Sequence, residues 1–144
     1  MTNVKSIFLT TQKVAEKMIE KRYGKVINIT STASLMVTSP VIPHYISSKA
    51  AAHQLTKALA IELGKYNINV NSVGPSTVDT DMCHDYLQDK AIYEQEVEAN
   101  PMKRLGTAKQ IGDAVVFFSF GGSDASQWTS VNGRWWLNSQ GSTA

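Results

Sequence analysis

The sequence predicts an α/β fold with a parallel sheet and flanking helices, on three observations. Short β-branched runs stand at 25–30 (KVINIT) and 68–73 (INVNSV), and such runs favour strands. Long helical patterns lie before, between and after them. A third short run, 134–138 (RWWLN), completes the order α-β-α-β-α-α-β. Strands alternating with long helices favour a parallel sheet covered on its faces. Three visible strands make a thin sheet, with an open edge expected at 25–30.

Each element has its own warrant. In the first helix Val4, Ile7, Phe8, Val14, Met18 and Ile19 recur at three- and four-residue steps, giving one apolar face. Thr2 or Asn3 is expected to cap its start and Gly24 to stop it. Residues 31–43, rich in Ser, Thr and Pro, read as a loop. Residues 45–65 read as a long helix, with Ala51, Leu55, Ala58, Leu59 and Leu63 at helical spacing. Gly74–Pro75 breaks the second strand, and residues 81–98 read as one polar helix up to Asn100–Pro101. Thr107 and Gln110 form a capping-box pattern opening a helix through Phe118, with Gly121–Gly122 ending it.

The chain has 144 residues, 42% hydrophobic and 18% charged. That is globular composition, and the length fits a single domain, 1–144. Fourteen basic against twelve acidic residues leave a net charge of +2, too little for a nucleic-acid footprint. One cysteine, Cys83, gives neither a disulfide framework nor a metal cluster. No apolar run is long enough to span a membrane and no secretory signal opens the chain. A cytoplasmic protein is the expectation, with a small-molecule substrate, no metal, no nucleic acid and no membrane partner.

Tyr45 and Lys49 form Tyr-x-x-x-Lys at the start of a helix, one turn apart on one face. A phenol with a reference pKa of about 10 is a poor acid–base at neutral pH. An ammonium at about 4 Å and an effective dielectric near 20 stabilises a phenolate by roughly 4 kcal/mol. Such a pair suits proton transfer to or from an alcohol or carbonyl.

Other features carry less. His44 adjoins Tyr45, and His53 and His84 read as surface residues. Cys83 has no visible His or Asp partner. The acidic run Glu94, Glu96, Glu98 reads as a solvated face, and Trp128, Trp135 and Trp136 as packing residues.

The ordered set of features resembles the short-chain dehydrogenase/reductase family. The strand VINITS ends in a hydroxyl residue, Tyr45 and Lys49 follow with trailing alanines, the next strand ends in NSVGP, Thr80 comes after it, and Asn3 stands in the preceding helix. The match runs from about Asn3 to Phe118. The resemblance implies a Rossmann-like sheet, here with three strands visible. It also implies hydride transfer between NAD(P)H and a small ketone, aldehyde or sugar. Tyr45 is implied as the acid–base. Lys49 is implied to hold the nicotinamide ribose and support Tyr45, and Asn3 to kink its helix and hold a proton-relay water. Counting from the strand, Ser31 is the hydroxyl that orients the carbonyl. A count of thirteen back from Tyr45 lands on Thr32 instead, so a one-residue longer loop is expected with Ser31 favoured. Pro75, Val78 and Thr80 resemble the nicotinamide-binding turn, although Pro75–Ser76 replaces the family's usual Pro-Gly.

The family's glycine-rich cradle does not occur in this sequence; its nine glycines are Gly24 and then Gly64 onward. The chain therefore resembles the C-terminal, catalytic part of the family, and weak cofactor binding is expected of it alone. Two readings compete. One is the catalytic part of a reductase. The other is a truncated, cofactor-deficient member acting as an oligomerising module through the helices 2–22 and 45–65, which resemble the family's dimer interface.

Overall fold

The computed structural model describes residues 2–37, 42–120 and 130–132, the last by backbone alone. The first helix, α1, spans Thr2–Lys21. It ends in a Schellman motif: Arg22 turns left-handed (φ 50°), Arg22 N–H donates to Ile19 O and Tyr23 N–H to Met18 O. Arg22 rather than Gly24 therefore makes the stop. Gly24 opens strand β1 (Gly24–Ile29), and its missing side chain serves close approach, since a Cβ there would lie 2.5 Å from Met18 Sδ. Residues Thr32–Ser34 form a short 3₁₀ turn within the segment expected as loop.

Helix α2 spans Pro43–Gly64, with Pro43 in the first turn, where a missing N–H costs nothing. Strand β2 (Ile68–Gly74) follows. Strands β1 and β2 pair in parallel from Gly24↔Ile68 to Ile29↔Val73. A third strand, β5 (Ser130–Asn132), pairs in parallel with β2, giving the order β1-β2-β5. The expected strand at 134–138 lies outside the described residues. Among the described residues β1 is the terminal strand of this sheet.

Strand alternation puts Ile68, Val70 and Ser72 on the face of α1 and α2. Ala15, Leu59, Ala60, Leu63, Ile68 and Val70 form a buried cluster there, joined by Ile7, Met18, Ile19, Val26 and Leu55. Phe8 and Val14, expected on the apolar face of α1, are instead exposed. Thr11 and Ala15 take the buried positions of this helix, which packs against α2. Between α2 and the strands lies a polar seam. Buried Asn28 donates through Nδ2 to Thr56 Oγ1 (3.0 Å), Thr56 Oγ1 donates to Ala52 O (2.9 Å), and Ser72 Oγ sits 3.5 Å from His53 Nδ1. His53 is thus buried, 4% exposed, contrary to its reading as a surface residue. Burial and, second, the charge of Lys57 hold its imidazole below the usual range.

Beyond β2, strand β3 (Val78–Asp79) pairs in parallel with β4 (Gly106–Thr107). Between them lie two helices, α3 (Asp81–Leu87) and α4 (Lys90–Ala99), where one was expected. Asp89 makes the break: its side chain accepts from the N–H groups of Ala91 and Ile92, an N-cap that starts a new helix. Helix α5 (Ala108–Ser119) opens with the expected capping box of Thr107 and Gln110, ends before Gly121, and packs on β1 and β2 with Phe118 buried.

Candidate active site

The two long strands run parallel, so their carboxyl ends lie side by side, where open α/β sheets bind their ligands. The ladder continues past them. Thr30 N–H donates to Val73 O (2.8 Å) and Thr32 N–H to Pro75 O (2.9 Å). This fixes the hydroxyl-rich 31–34 turn beside the turn that begins at Pro75. Helix α2 packs on the same 3₁₀ turn.

Tyr45 and Lys49 stand one turn apart near the start of α2, with Lys49 Nζ 5.7 Å from the Tyr45 ring centroid. Lys49 Nζ also donates to Ile29 O at 3.0 Å, which ties the helix to the end of β1. An ammonium has three donors, and among the described residues one is used, which leaves two for a hydroxyl-bearing ligand. Burial lowers the pKa of this lysine.

Asn3 does not cap α1. Its Nδ2 donates to Ser48 Oγ (2.9 Å), and Ser48 Oγ donates to Tyr45 O (2.8 Å). Ser48 belongs to no motif, and its place immediately before Lys49, on the turn after Tyr45, is its local sequence signal. Through it α1 is fastened to the segment that carries the pair.

Ser31 and Thr32 are both buried, 8% and 6% exposed. Ser31 keeps an extended backbone (φ −167°, ψ 158°) and its Oγ accepts from Ala33 N–H. Thr32 already belongs to the 3₁₀ turn. Ser76 has no left-handed backbone, so its replacement of glycine costs no strain. Val78 lies in β3 against Gly106. Thr80 caps α3 by position only; its exposed hydroxyl donates to Val78 O at 3.5 Å and makes no cap bond.

The structure therefore gathers Asn3, Tyr45 and Lys49 through Ser48, and ties Ser31–Thr32 to Pro75 through the backbone. Val78 and Thr80 follow on the same turn. Glu96 departs from expectation. Rather than facing solvent with Glu94 and Glu98, its carboxylate accepts from Thr77 Oγ1 (2.5 Å) and Tyr86 OH (2.9 Å). It lines a small surface cleft with Ser76, Thr77, Ala99, Asn100 and Leu105.

A family model described as enoyl-(acyl carrier protein) reductase matches residues 1–133. The chain belongs to the short-chain dehydrogenase/reductase family. Among curated relatives, a 5-keto-D-gluconate 5-reductase of Escherichia coli K12 is 34% identical over 122 residues, covering 85% of this chain and 48% of the relative. A 2-(R)-hydroxypropyl-CoM dehydrogenase of Xanthobacter autotrophicus is 38% identical over 131 residues, covering 91% and 50%. A solved gluconate 5-dehydrogenase of Burkholderia cenocepacia, in complex with NADP and tartrate, superposes with a TM-score of 0.85 at 28% identity, covering 91% of this chain and 52% of that one. The chain spans about half the length of these family members. Among the described residues no helix is long and apolar enough to cross a membrane.

Proposed function

We propose that this chain carries the catalytic face of a cytoplasmic NAD(P)-dependent oxidoreductase that interconverts a small carbonyl and its alcohol. The observation that carries the reading is the Lys49 ammonium, pinned to Ile29 O beside the Tyr45 ring, with two donors unused among the described residues. That donor set fits a dinucleotide's ribose hydroxyls, and the exposed Thr80 hydroxyl fits its carboxamide. NAD(P)H would supply the hydride. Tyr45 would give its hydroxyl proton to the carbonyl oxygen as the alcohol forms. Lys49 would stabilise the phenolate left behind and hold the ribose, with Pro75, Val78 and Thr80 positioning the nicotinamide end. Ser31 would donate to the carbonyl oxygen; its extended place at the strand end supports it over Thr32, which is committed to the turn. Asn3 would act through Ser48, holding the backbone at Tyr45.

The relatives named for keto-gluconate and gluconate chemistry favour polyhydroxylated ketones as substrates. Exposed Phe8, Leu9 and Val14 on α1 and Ile61 on α2 support self-association through these helices. The test is reduction of a panel of small ketones, aldehydes and keto-sugar acids by NADH and NADPH, in the protein at its full natural length. Tyr45→Phe keeps the ring and removes the proton donor, so kcat is expected to fall by roughly 10²–10⁴-fold with cofactor affinity unchanged. Near-full activity in that variant would overturn the assignment.

A further inference from the structure

Most acids of the 81–104 arm serve solvent. Glu94 pairs with Lys90 and Glu98 with Lys103, all at exposed positions. Glu96 differs because both of its oxygens go to hydroxyls on other segments. Oε2 accepts from Thr77 on the turn after β2, and Oε1 from Tyr86 near the end of α3, while Glu96 itself sits on α4. One carboxylate thus joins three segments. The same Thr77 is held from its other side, because its carbonyl accepts from Gly106 N–H at 3.1 Å, where β3 and β4 pair. The arm is tied at its far end by that two-residue ladder and across its middle by Glu96. Tyr86 is about half exposed and the α3–α4 pair buries no residue fully, so apolar packing holds the arm weakly.

We infer that Glu96 is a positioning residue that clamps the 81–104 arm onto the Pro75–Thr80 turn and so fixes the wall of the pocket that receives the carbonyl substrate. The inference rests on the oxidoreductase reading above for the identity of the pocket, though the clamp itself is read from geometry. Both Glu96 oxygens are engaged by protein hydroxyls. It acts through Thr77, one residue before Val78, and through Tyr86. Charge-assisted hydrogen bonds of this kind are stronger than neutral ones, and burial together with Glu96 raises the Tyr86 pKa, so the phenol stays a donor. Gln at position 96 keeps an acceptor and adds a donor, and each hydroxyl partner can also accept. It therefore reproduces the clamp without the charge, whereas Ala abolishes it.

Two measurements on the full-length protein test this. Hydrogen exchange reads the clamp without any activity: Glu96→Ala is expected to raise exchange within 81–104 by about tenfold or more, with the α1–α2 core unchanged. Steady-state kinetics reads the pocket: the carbonyl KM is expected to rise by about tenfold, with kcat and the cofactor KM within about threefold of wild type. Glu96→Gln is expected to restore most of both. Tyr86→Phe and Thr77→Val each remove one hydroxyl and are expected to give part of the effect, so the test survives poor folding of the alanine variant. Unchanged exchange in the arm, a rise spread over the whole chain, or a glutamine variant as damaged as the alanine one would each overturn the clamp. Raised arm exchange with no change in carbonyl KM would overturn its role in the pocket. A wild-type protein that reduces no carbonyl would refute the oxidoreductase reading and that pocket role with it, while raised arm exchange would still uphold the clamp.

Discussion

Replacing Lys49 by Met keeps the aliphatic stem and removes the charge. Lys49 Nζ lies 5.7 Å from the Tyr45 ring centroid. With that separation and an effective dielectric of 20, the ammonium stabilises a negative charge on the ring by about 3 kcal/mol. If this stabilisation is fully used as the proton leaves, its loss costs roughly a hundredfold in kcat. A second loss falls on the cofactor: the spare donors disappear, so KM for NAD(P)H should rise as well. Stability should move little. The variant gives up one bond to Ile29 O but also relieves the burial that holds this lysine below its usual range. The assay is steady-state carbonyl reduction with both substrates varied, alongside the urea midpoint of the same preparation. Lys49→Arg keeps the charge and changes the donor geometry, so it should fall between. A kcat within about threefold of wild type in a well-folded Lys49→Met protein would refute the electrostatic argument.

Three further outcomes concern the scaffold. Thr56→Val is isosteric but leaves the buried Asn28 amide without the acceptor it uses, so a loss of about 1–3 kcal/mol is expected in urea unfolding; Asn28→Leu combined with it should recover part, and a silent single variant would count against the seam. Gly24→Ala puts a Cβ 2.5 Å from Met18 Sδ and 3.0 Å from Met18 Cβ; a lowered Tm, equivalent to roughly 1–3 kcal/mol, is expected, and Met18→Ala should relieve it. For His53, burial and then Lys57 hold the folded pKa below 6.5, so the unfolded chain binds the proton more readily. Stability should therefore be flat above about pH 7.5 and fall as pH drops through 6.5 toward the folded value. Urea midpoints at pH 5.5 and 7.5 should show a smaller acid loss in His53→Gln, and an equal loss in both proteins would remove His53 as the cause.

The parallel pairing of 25–30 with 68–73 was legible because β-branched runs and helical spacing report local preference. The capping box at Thr107 was legible because the motif is local too. What the sequence hid was set by packing across elements. His53 looked like any polar residue on a helix, yet its turn of α2 meets the inner face of β2. Phe8 and Val14 fit the apolar spacing, but the helix turns Thr11 and Ala15 inward and leaves Phe8 and Val14 exposed. The break at Asp89 was available as an N-cap residue and was overridden by the polar run around it. Glu96 could not be told from Glu94 and Glu98, because its partners, Thr77 and Tyr86, lie 19 and 10 residues away. At the site, the spacing of Tyr45 and Lys49 was local and readable, whereas the tie from Asn3 to Ser48 spans 45 residues and was not.

The register of two strands connects these observations. With Val26 opposite Val70 and Asn28 opposite Ser72, one strand face supplies both the apolar cluster and the polar seam under α2. The same register carries the ladder past the strand ends, placing Thr32 N–H on Pro75 O. A slip of one residue would turn Val26 and Asn28 away from α2 and move the 31–34 turn along the Pro75 turn. The burial that penalises that slip in the core therefore also fixes how the 31–34 turn sits beside the Pro75 turn, the two segments proposed to meet the carbonyl and the nicotinamide. Lys49 adds a third constraint from α2 to Ile29 O, and Asn3 a fourth from α1 to Ser48. The proposed active centre is then set by core register together with these two ties. On that account, damage to the Asn28–Thr56 seam should reach carbonyl reduction before it unfolds the chain.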